Sequence, residues 1–287
     1  MTQFDPFLIA LGTLSVLVFV ITSMVGMGFS LTIKQIAAPL RNTRLVLLSL
    51  AANFIIVPLL VLVIVRVIPL PEGIQIGLIL AGMAAGAPFL PKLVQVAKGD
   101  MAFAAGLMVM LMVVTVAFLP IFLPLVLTGV QVNPWDIAQS LVLLMLIPLA
   151  ASLLIRAWYE DVAKGLLPTM TMASSLSLVV MFIAYFVAYY DDTSSVLGTG
   201  GILAAVILIL GAVAAGYLAG GSDMGIKKVL ALGTGQRNLA AAFAVATSNF
   251  SGNPEVLIEV MEISVIGLIV LMVIAGHFGR KSTAGNV

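Results

Sequence analysis

The sequence predicts an all-α membrane protein of about nine transmembrane helices, an inverted repeat in which two crossing helices are broken. Three observations predict it. First, the 287 residues are 62% hydrophobic and 9% charged, with mean hydropathy +1.24, whereas a soluble domain of this size carries about a quarter charged residues. So little polar surface cannot cover a water-soluble globule, and the lipid bilayer becomes the chain's main partner. Second, the apolar runs reach the roughly 20 residues that cross the hydrocarbon layer. Third, two of those runs are interrupted by glycine and proline at corresponding places.

Splitting the chain at charges, prolines and glycines gives spans of about 6–30, 45–66, 73–97, 101–128, 137–157, 167–190, 200–220, 227–249 and 255–278. Backbone facing lipid must satisfy its own hydrogen bonds, and the period-2 alternation of a membrane barrel is absent, so the spans read as helices. The first follows Asp5 without a basic n-region and reads as a retained helix, not a cleaved signal. Charge then orients the bundle. With the N-terminus outside, the inner loops and tail hold Lys34, Arg41, Arg44, Lys98, Arg156, Lys164, Lys227, Lys228, Arg280 and Lys281, ten of the thirteen basic residues. Outer loops hold Asp5, Glu72, Asp136, Asp191, Asp192 and Glu255, with Arg66 at their edge. The expectation is a multi-pass protein of the cell (plasma or inner) membrane, C-terminus cytoplasmic.

Two cations remain, Lys92 and Arg237, and both fall inside spans. Pro88 and Pro91 interrupt the third span, each removing a backbone donor, and Gly82 and Gly86 thin it. Gly233 and Gly235 weaken the eighth just before Gln236, Arg237 and Asn238. Breaks expose backbone groups at membrane depth, which is tolerable only beside protein or a water-filled cavity. Each second half-helix would start there with its partial positive end. Lys92 and Arg237 near those starts favour a small organic anion, with Thr234, Gln236 and Asn238 giving directional hydrogen bonds. Against this stand a snorkelling Lys92, about 9 Å along the helix from Lys98, and a purely structural Arg237. A charge at mid-membrane costs on the order of 2.5–3.5 kcal/mol and marks a site by default.

Glu255, Glu259 and Glu262 share one face of the ninth span. They could pair with Arg237, collect cations or carry a proton; a solvated acidic edge is the plain alternative. Glu259, Glu262 and Gln236 are the candidates for ion or proton coupling. Asn53, alone in apolar span two, could reach the same centre or serve an interhelical hydrogen bond. His277 reads as interfacial and the methionines as packing. No cysteine is present, which excludes disulfides and thiolate chemistry. With one boundary histidine and no HExxH motif, the chain reads as no enzyme and holds no resident metal or cofactor. A net charge of +1 argues against nucleic acid, and no Walker motif points to ATP. A channel would more naturally show rings of like residues than two asymmetric breaks.

The segments "VGMGFSLT", "NFIIVPLL", "AKGDMAFAAGL" and "GTGQRNLAAAFAVA" resemble, in order and spacing, the bile acid:sodium symporter family. The resemblance implies a single transporter domain working by alternating access. A panel would comprise about 1–44 and 137–190, and a core about 45–136 and 200–279, lacking one opening helix of ten-helix members. It also implies organic-anion substrates moved with sodium. The sodium ligands do not carry over: Leu90 and Pro91 replace a Ser-Asn pair, Ala104 and Met108 replace hydroxyls, and Leu232 replaces a carboxylate. Gln236 alone matches, with Asn53 where a glutamine is usual. Two cations at about 6 Å would each oppose a sodium ion by roughly 3 kcal/mol. The expectation is therefore that Lys92 and Arg237 stand in for bound sodium, leaving transport uniport-like or proton-linked, with Na+ or H+ as the candidate coupling ions. The cavity walls are expected from spans one, five and six.

Overall fold

Every long apolar run folds as a helix, and the described residues contain no strand. The computed structural model describes residues 5–37, 41–127, 133–190 and 198–284. Asp191 and Asp192 lie outside the described residues, and so does the side chain of Lys281. In chain order the helices are α1 (Asp5–Ser30), the short α2 (Ile33–Ala37), α3 (Thr43–Val67), α4 (Glu72–Met83), α5 (Leu90–Ala97) and α6 (Met101–Val126). They continue with α7 (Pro134–Trp158), α8 (Glu160–Ala188), α9 (Gly201–Ala219), α10 (Met224–Gly235), α11 (Leu239–Asn249) and α12 (Pro254–Ala284). Seven of them, α1, α3, α6, α7, α8, α9 and α12, are long and apolar enough to cross a membrane. The expected third and eighth spans are each a pair of short helices, α4 with α5 and α10 with α11.

Local chemistry sets the helix ends. The side-chain oxygens of Asn42, Asp100, Asn133, Asp223 and Asn238 each accept from a first-turn backbone N–H, satisfying one donor the helix leaves free. α3 and α7 each carry one π-helical turn, Ala52–Ile56 and Val142–Leu146. Pro58 and Pro148 follow them, and a proline without N–H removes an i→i−4 bond that the wider turn accommodates. The outward side chains Leu47, Leu59, Val63, Leu125, Ile183 and Val273 are exposed. That apolar exterior suits hydrocarbon and would cost a soluble protein dearly.

Packing gathers the helices around the two breaks. α1 lies along α8 and α7, the first seam closed by Ser23 against Ser174 (2.6 Å) and Thr13 against Tyr185 (3.0 Å). α9 packs on α10, α3 and α12, while α12 also covers α4 and α5. α11 bridges the two groups, touching α1, α7 and α12.

Pro91 does not make the break predicted for it. It sits in the first turn of α5, where a missing N–H costs nothing. The interruption runs from Ala84 to Phe89, includes Pro88, and turns at Gly86, whose φ is +81°. Gly233 and Gly235 are also helical, inside α10. They serve close packing instead: a β-carbon on Gly233 would sit 3.1 Å from Leu90 and Leu107, and one on Gly235 2.9 Å from Leu271. The second break is Gln236 to Asn238.

Candidate functional site

The two breaks are tied to each other by an arginine. Arg237 is 2% exposed, and its guanidinium donates to four oxygens. Nε bonds the Ala81 carbonyl (3.1 Å), Nη2 the Gly82 carbonyl (2.8 Å), and Nη1 both the Thr234 carbonyl (2.9 Å) and Asn53 Oδ1 (3.2 Å). Ala81 and Gly82 lie in the last turn of α4 and Thr234 in the last turn of α10. The Gly82 and Thr234 carbonyls are ones that a helix end leaves without an intrahelical donor, while the Ala81 carbonyl also accepts from the Ala84 N–H (3.2 Å). The planar fork of five N–H groups can serve several of them at once.

This corrects the electrostatic picture drawn from the sequence. Arg237 does not reinforce the positive start of a second half-helix; it sits at the negative ends of both first halves, where a cation is favoured. Nor does it pair with a glutamate, because every partner of its side chain is a carbonyl or amide oxygen. Glu255, Glu259 and Glu262 form no ion pair among the described residues, where Arg156, Glu160 and Lys164 make the salt bridges.

The remaining polar groups complete the lattice. Asn53, in the π turn of α3, is buried and donates from Nδ2 to the Ser49 carbonyl (3.0 Å) and to Thr234 Oγ1 (3.1 Å). Asn238 sends its backbone N–H to the Ala84 carbonyl (2.9 Å) and Nδ2 to the Ala85 carbonyl (3.3 Å), while Oδ1 caps Ala241 of α11 (3.1 Å). Thr115 of α6, which sequence reasoning passed over, pairs with both backbone groups of Ala85 at 2.9 Å each. Its only sequence signal was a hydroxyl in an otherwise apolar run. Thr115→Val keeps the shape but orphans a buried N–H, a cost of about 1–3 kcal/mol. The expected outcome is a drop in melting temperature of a few degrees, measured by thermal unfolding in detergent; an unchanged value would mean that the Thr115 hydroxyl does not hold the break at Ala85.

Lys92 does not join this centre. It is exposed on α5, and the cavity beside the crossing is lined by its neighbours Pro91 and Leu93 but not by Lys92 itself.

That cavity measures about 590 Å³ and opens between α1 and α8 on one side and the starts of α5 and α11 on the other. Its wall is mostly apolar, with Phe19, Met27, Phe182 and Phe243 prominent. Hydroxyls come from Thr22, Ser23, Thr171, Ser174 and Ser264. No residue of α7 lines it, so the expectation of a wall from span five is corrected: α8 and α1 pack closely enough to hold α7 behind them. Pro88, Phe89, Gln236, Arg237 and Leu239 form the inner end. Gln236 Oε1 is buried there without a hydrogen-bond partner, an acceptor with capacity for a ligand's O–H or N–H.

Glu259 and Glu262 stand apart from the cavity, whose wall on α12 begins at Ile263. Glu259 is fully buried, neither of its carboxylate oxygens has a partner, and Glu262 Oε2 has none either.

Comparison with known proteins shows what the chain is similar to. Residues 16–196 match the model of the Sodium Bile acid symporter family. A relative from Arabidopsis thaliana, described as a probable sodium/metabolite cotransporter of the chloroplast, is 22% identical over 265 residues, 91% of this chain. The chain spans 65% of that relative's length. Another, the Bacillus subtilis (strain 168) protein described as the uncharacterized sodium-dependent transporter YocS, is 24% identical over 79% of this chain and 72% of its own length.

Proposed function

This chain belongs to the sodium bile acid symporter family, whose members are transporters and not enzymes; from that premise we propose that it is a secondary carrier for a small, partly apolar organic anion. The observation that carries the reading is the inner end of the cavity. Two half-helices begin there, α5 and α11, with the buried charge of Arg237 immediately behind them and no carboxylate beside it. Helix starts in a low-dielectric site favour a negative group, Arg237 fixes the breaks that present them, Gln236 offers an unpaired acceptor to a substrate hydroxyl, and the aromatic wall takes the hydrocarbon part. Lys92 belongs to this reading only as a distant contributor to the field.

In this reading α4–α5 and α10–α11 are the third and eighth crossings of a nine-span bundle with its N-terminus outside, embedded in the cell membrane. α1, α7 and α8 form the panel against which the rest of the chain rocks, the two parts related to an inverted repeat by the paired breaks. Substrate would be exposed alternately on either side as the seam between α1, α8 and α11 opens and closes.

The same geometry bears on sodium. A hard cation needs several oxygen ligands. Leu90, Pro91, Ala104, Met108 and Leu232 supply no side-chain oxygen, and the oxygens of Ala81, Gly82, Thr234 and Asn53 already hold the guanidinium. Arg237 thus acts as a permanent cation at the crossing. A second reading, sodium symport through another site, is favoured by the descriptions of the two relatives as a probable sodium/metabolite cotransporter and a sodium-dependent transporter.

One experiment separates them. Purified protein is screened by thermal shift against monocarboxylates and sulfonates in sodium or potassium, and the strongest ligand is then followed into proteoliposomes. Uptake is expected to proceed equally in either salt. Steep dependence on external sodium would establish the second reading, and no response to any anion would remove the first. Gly26→Leu adds a specific control: a β-carbon there lies 3.7 Å from its nearest neighbour and faces the cavity. That variant should melt like the parent yet lose most of its uptake, because the side chain occupies substrate space.

A further inference from the structure

A second buried polar place lies where the first turns of α4, α9 and α12 meet, and nothing in the crossing uses it. α12 carries Glu255 and Glu259 one turn apart, and α4 answers with Gly73 and Gly77 at the same spacing. A β-carbon on Gly73 would fall 2.5 Å from Cβ of Glu255, and one on Gly77 2.7 Å from Cβ of Glu259. From the third side α9 presents Gly201. The point its β-carbon would occupy is 2.7 Å from Glu259 Oε2 and 3.4 Å from Glu262 Oε2, so both carboxylates reach one small space. The remaining wall there is Ile74, 3.3 Å away. Three of the four carboxylate oxygens are buried and accept no hydrogen bond.

No cation of the packed elements reaches the niche. α4 brings only Glu72 as an ionisable residue, α11 brings none, and α9 brings only Tyr217, near its opposite end. α10 brings Lys227 and Lys228 at the end remote from Gly235, the residue that packs on Leu271. Lys92 and Lys98 come with α5, which meets α12 around Gly279, about 30 Å along the helix from Glu259. On α12 itself the nearest titratable neighbour is Glu255, and His277 and Arg280 are at the far end.

Carboxylates alone are acceptors and cannot bond each other. An uncompensated buried charge is strongly disfavoured. Among the described residues no group of three or more carboxylate or histidine ligands gathers to dress a metal ion, whereas a proton needs only the two groups present. We propose that Glu259 and Glu262 form a proton-binding site, the coupling site of the carrier reading on which this inference rests. A proton bonds to one carboxylate oxygen, the O–H is shared with the facing carboxylate, and the same proton leaves on the other side when α9 and α12 shift. No other bond is made or broken. The glycines at 73, 77 and 201 are the means by which three backbones approach closely enough to seal the pair.

The test uses the purified full chain without substrate. Infrared difference spectra at neutral pH are expected to show a protonated carboxyl band that disappears in Glu259→Gln. The melting temperature of the parent is expected to fall as pH rises from about 5 to about 9, since a proton held by the folded state stabilises it most at low pH. That slope should flatten in Glu259→Gln and in Glu262→Gln. An ionised Glu259 in the spectra, or an undiminished slope in both variants, overturns the proposal. So does a rise in melting temperature specific to sodium over potassium that Glu259→Gln abolishes, which would make the niche a metal site. Should Glu259→Gln fail to fold, the parent spectrum and Glu262→Gln still decide. Failure here leaves organic-anion uptake standing, and absent uptake with the proton signature intact removes only the carrier reading.

Discussion

Arg237→Ala is expected to lower the melting temperature by about 5 °C or more. The substitution strands the carbonyls of Gly82 and Thr234 and the amide oxygen of Asn53, and leaves the Ala81 carbonyl with only its bond from the Ala84 N–H. Each buried acceptor left without a donor costs about 1–3 kcal/mol, and water entering from the neighbouring cavity recovers part of that. A net loss of at least about 3 kcal/mol corresponds to roughly that shift in a chain of this size. Arg237→Lys keeps the charge but replaces a planar fork with a compact ammonium. It cannot span from the end of α4 to the end of α10, and its melting point should fall between parent and alanine variant. Thermal unfolding in detergent reads both. If the alanine variant melts within about 2 °C of the parent, the arginine is not what joins the two breaks. The four bonds make loss of the crossing the first consequence of this substitution, ahead of any loss of anion response.

Gly86→Ala should be at least as damaging, for two independent reasons. With φ at +81°, a β-carbon is strained before any neighbour is considered. It would also run into α6: the Met108 carbonyl oxygen at 2.7 Å, the carbonyl carbon of Leu111 at 2.8 Å, and the backbone nitrogen of Met112 closer still. These are backbone atoms of a continuous helix and cannot rotate away. The expected outcome is little or no monodisperse protein on size exclusion, or a loss of about 3 kcal/mol or more where material survives. Gly165→Ala is the matched control, since nothing lies within 4 Å of a β-carbon there and alanine is the better helix former. A Gly86→Ala protein as stable as that control would mean the break can take another path.

Hydropathy made most of this architecture readable. Apolar runs of membrane length, bounded by charges, prolines and glycines, fell close to most of the observed helices, while α8 begins at Glu160, seven residues before the expected start, and α12 runs on to Ala284. The two interruptions were visible as well, because glycine and proline advertise a weak helix whatever surrounds it. Their places were less so. Gly233 and Gly235 looked like breakers yet pack α10 against Leu90, Leu107 and Leu271. Pro91 looked like one yet starts α5. A glycine's meaning depends on which neighbour comes close, and a proline's on which carbonyl would have needed its N–H; neither is written locally.

The candidate site divides in the same way. Asn53, Thr234, Gln236, Arg237 and Asn238 were singled out because polar side chains inside apolar spans need partners, and in the structure they share one lattice or line its edge. Lys92 satisfied the same criterion and lies outside it, since one residue of helical phase separates Pro91 and Leu93, which line the cavity, from an exposed side chain. Thr115 was overlooked because a threonine can satisfy itself on its own helix, and only the approach of Ala85 gives it another use.

Composition and periodicity by themselves determined that the chain lives in lipid, where its helices begin and end, and that two of them cannot be continuous. Those are local properties, fixed by transfer free energy and by the backbone donors that each residue keeps or lacks. Which oxygens the buried guanidinium serves was decided only by the fold. Its position at the negative ends of two helices, and the sealing of two carboxylates beneath three glycines, arise from contacts between segments far apart in the chain. Electrostatic sign at such a place depends on distance and direction, and neither exists until the helices have packed.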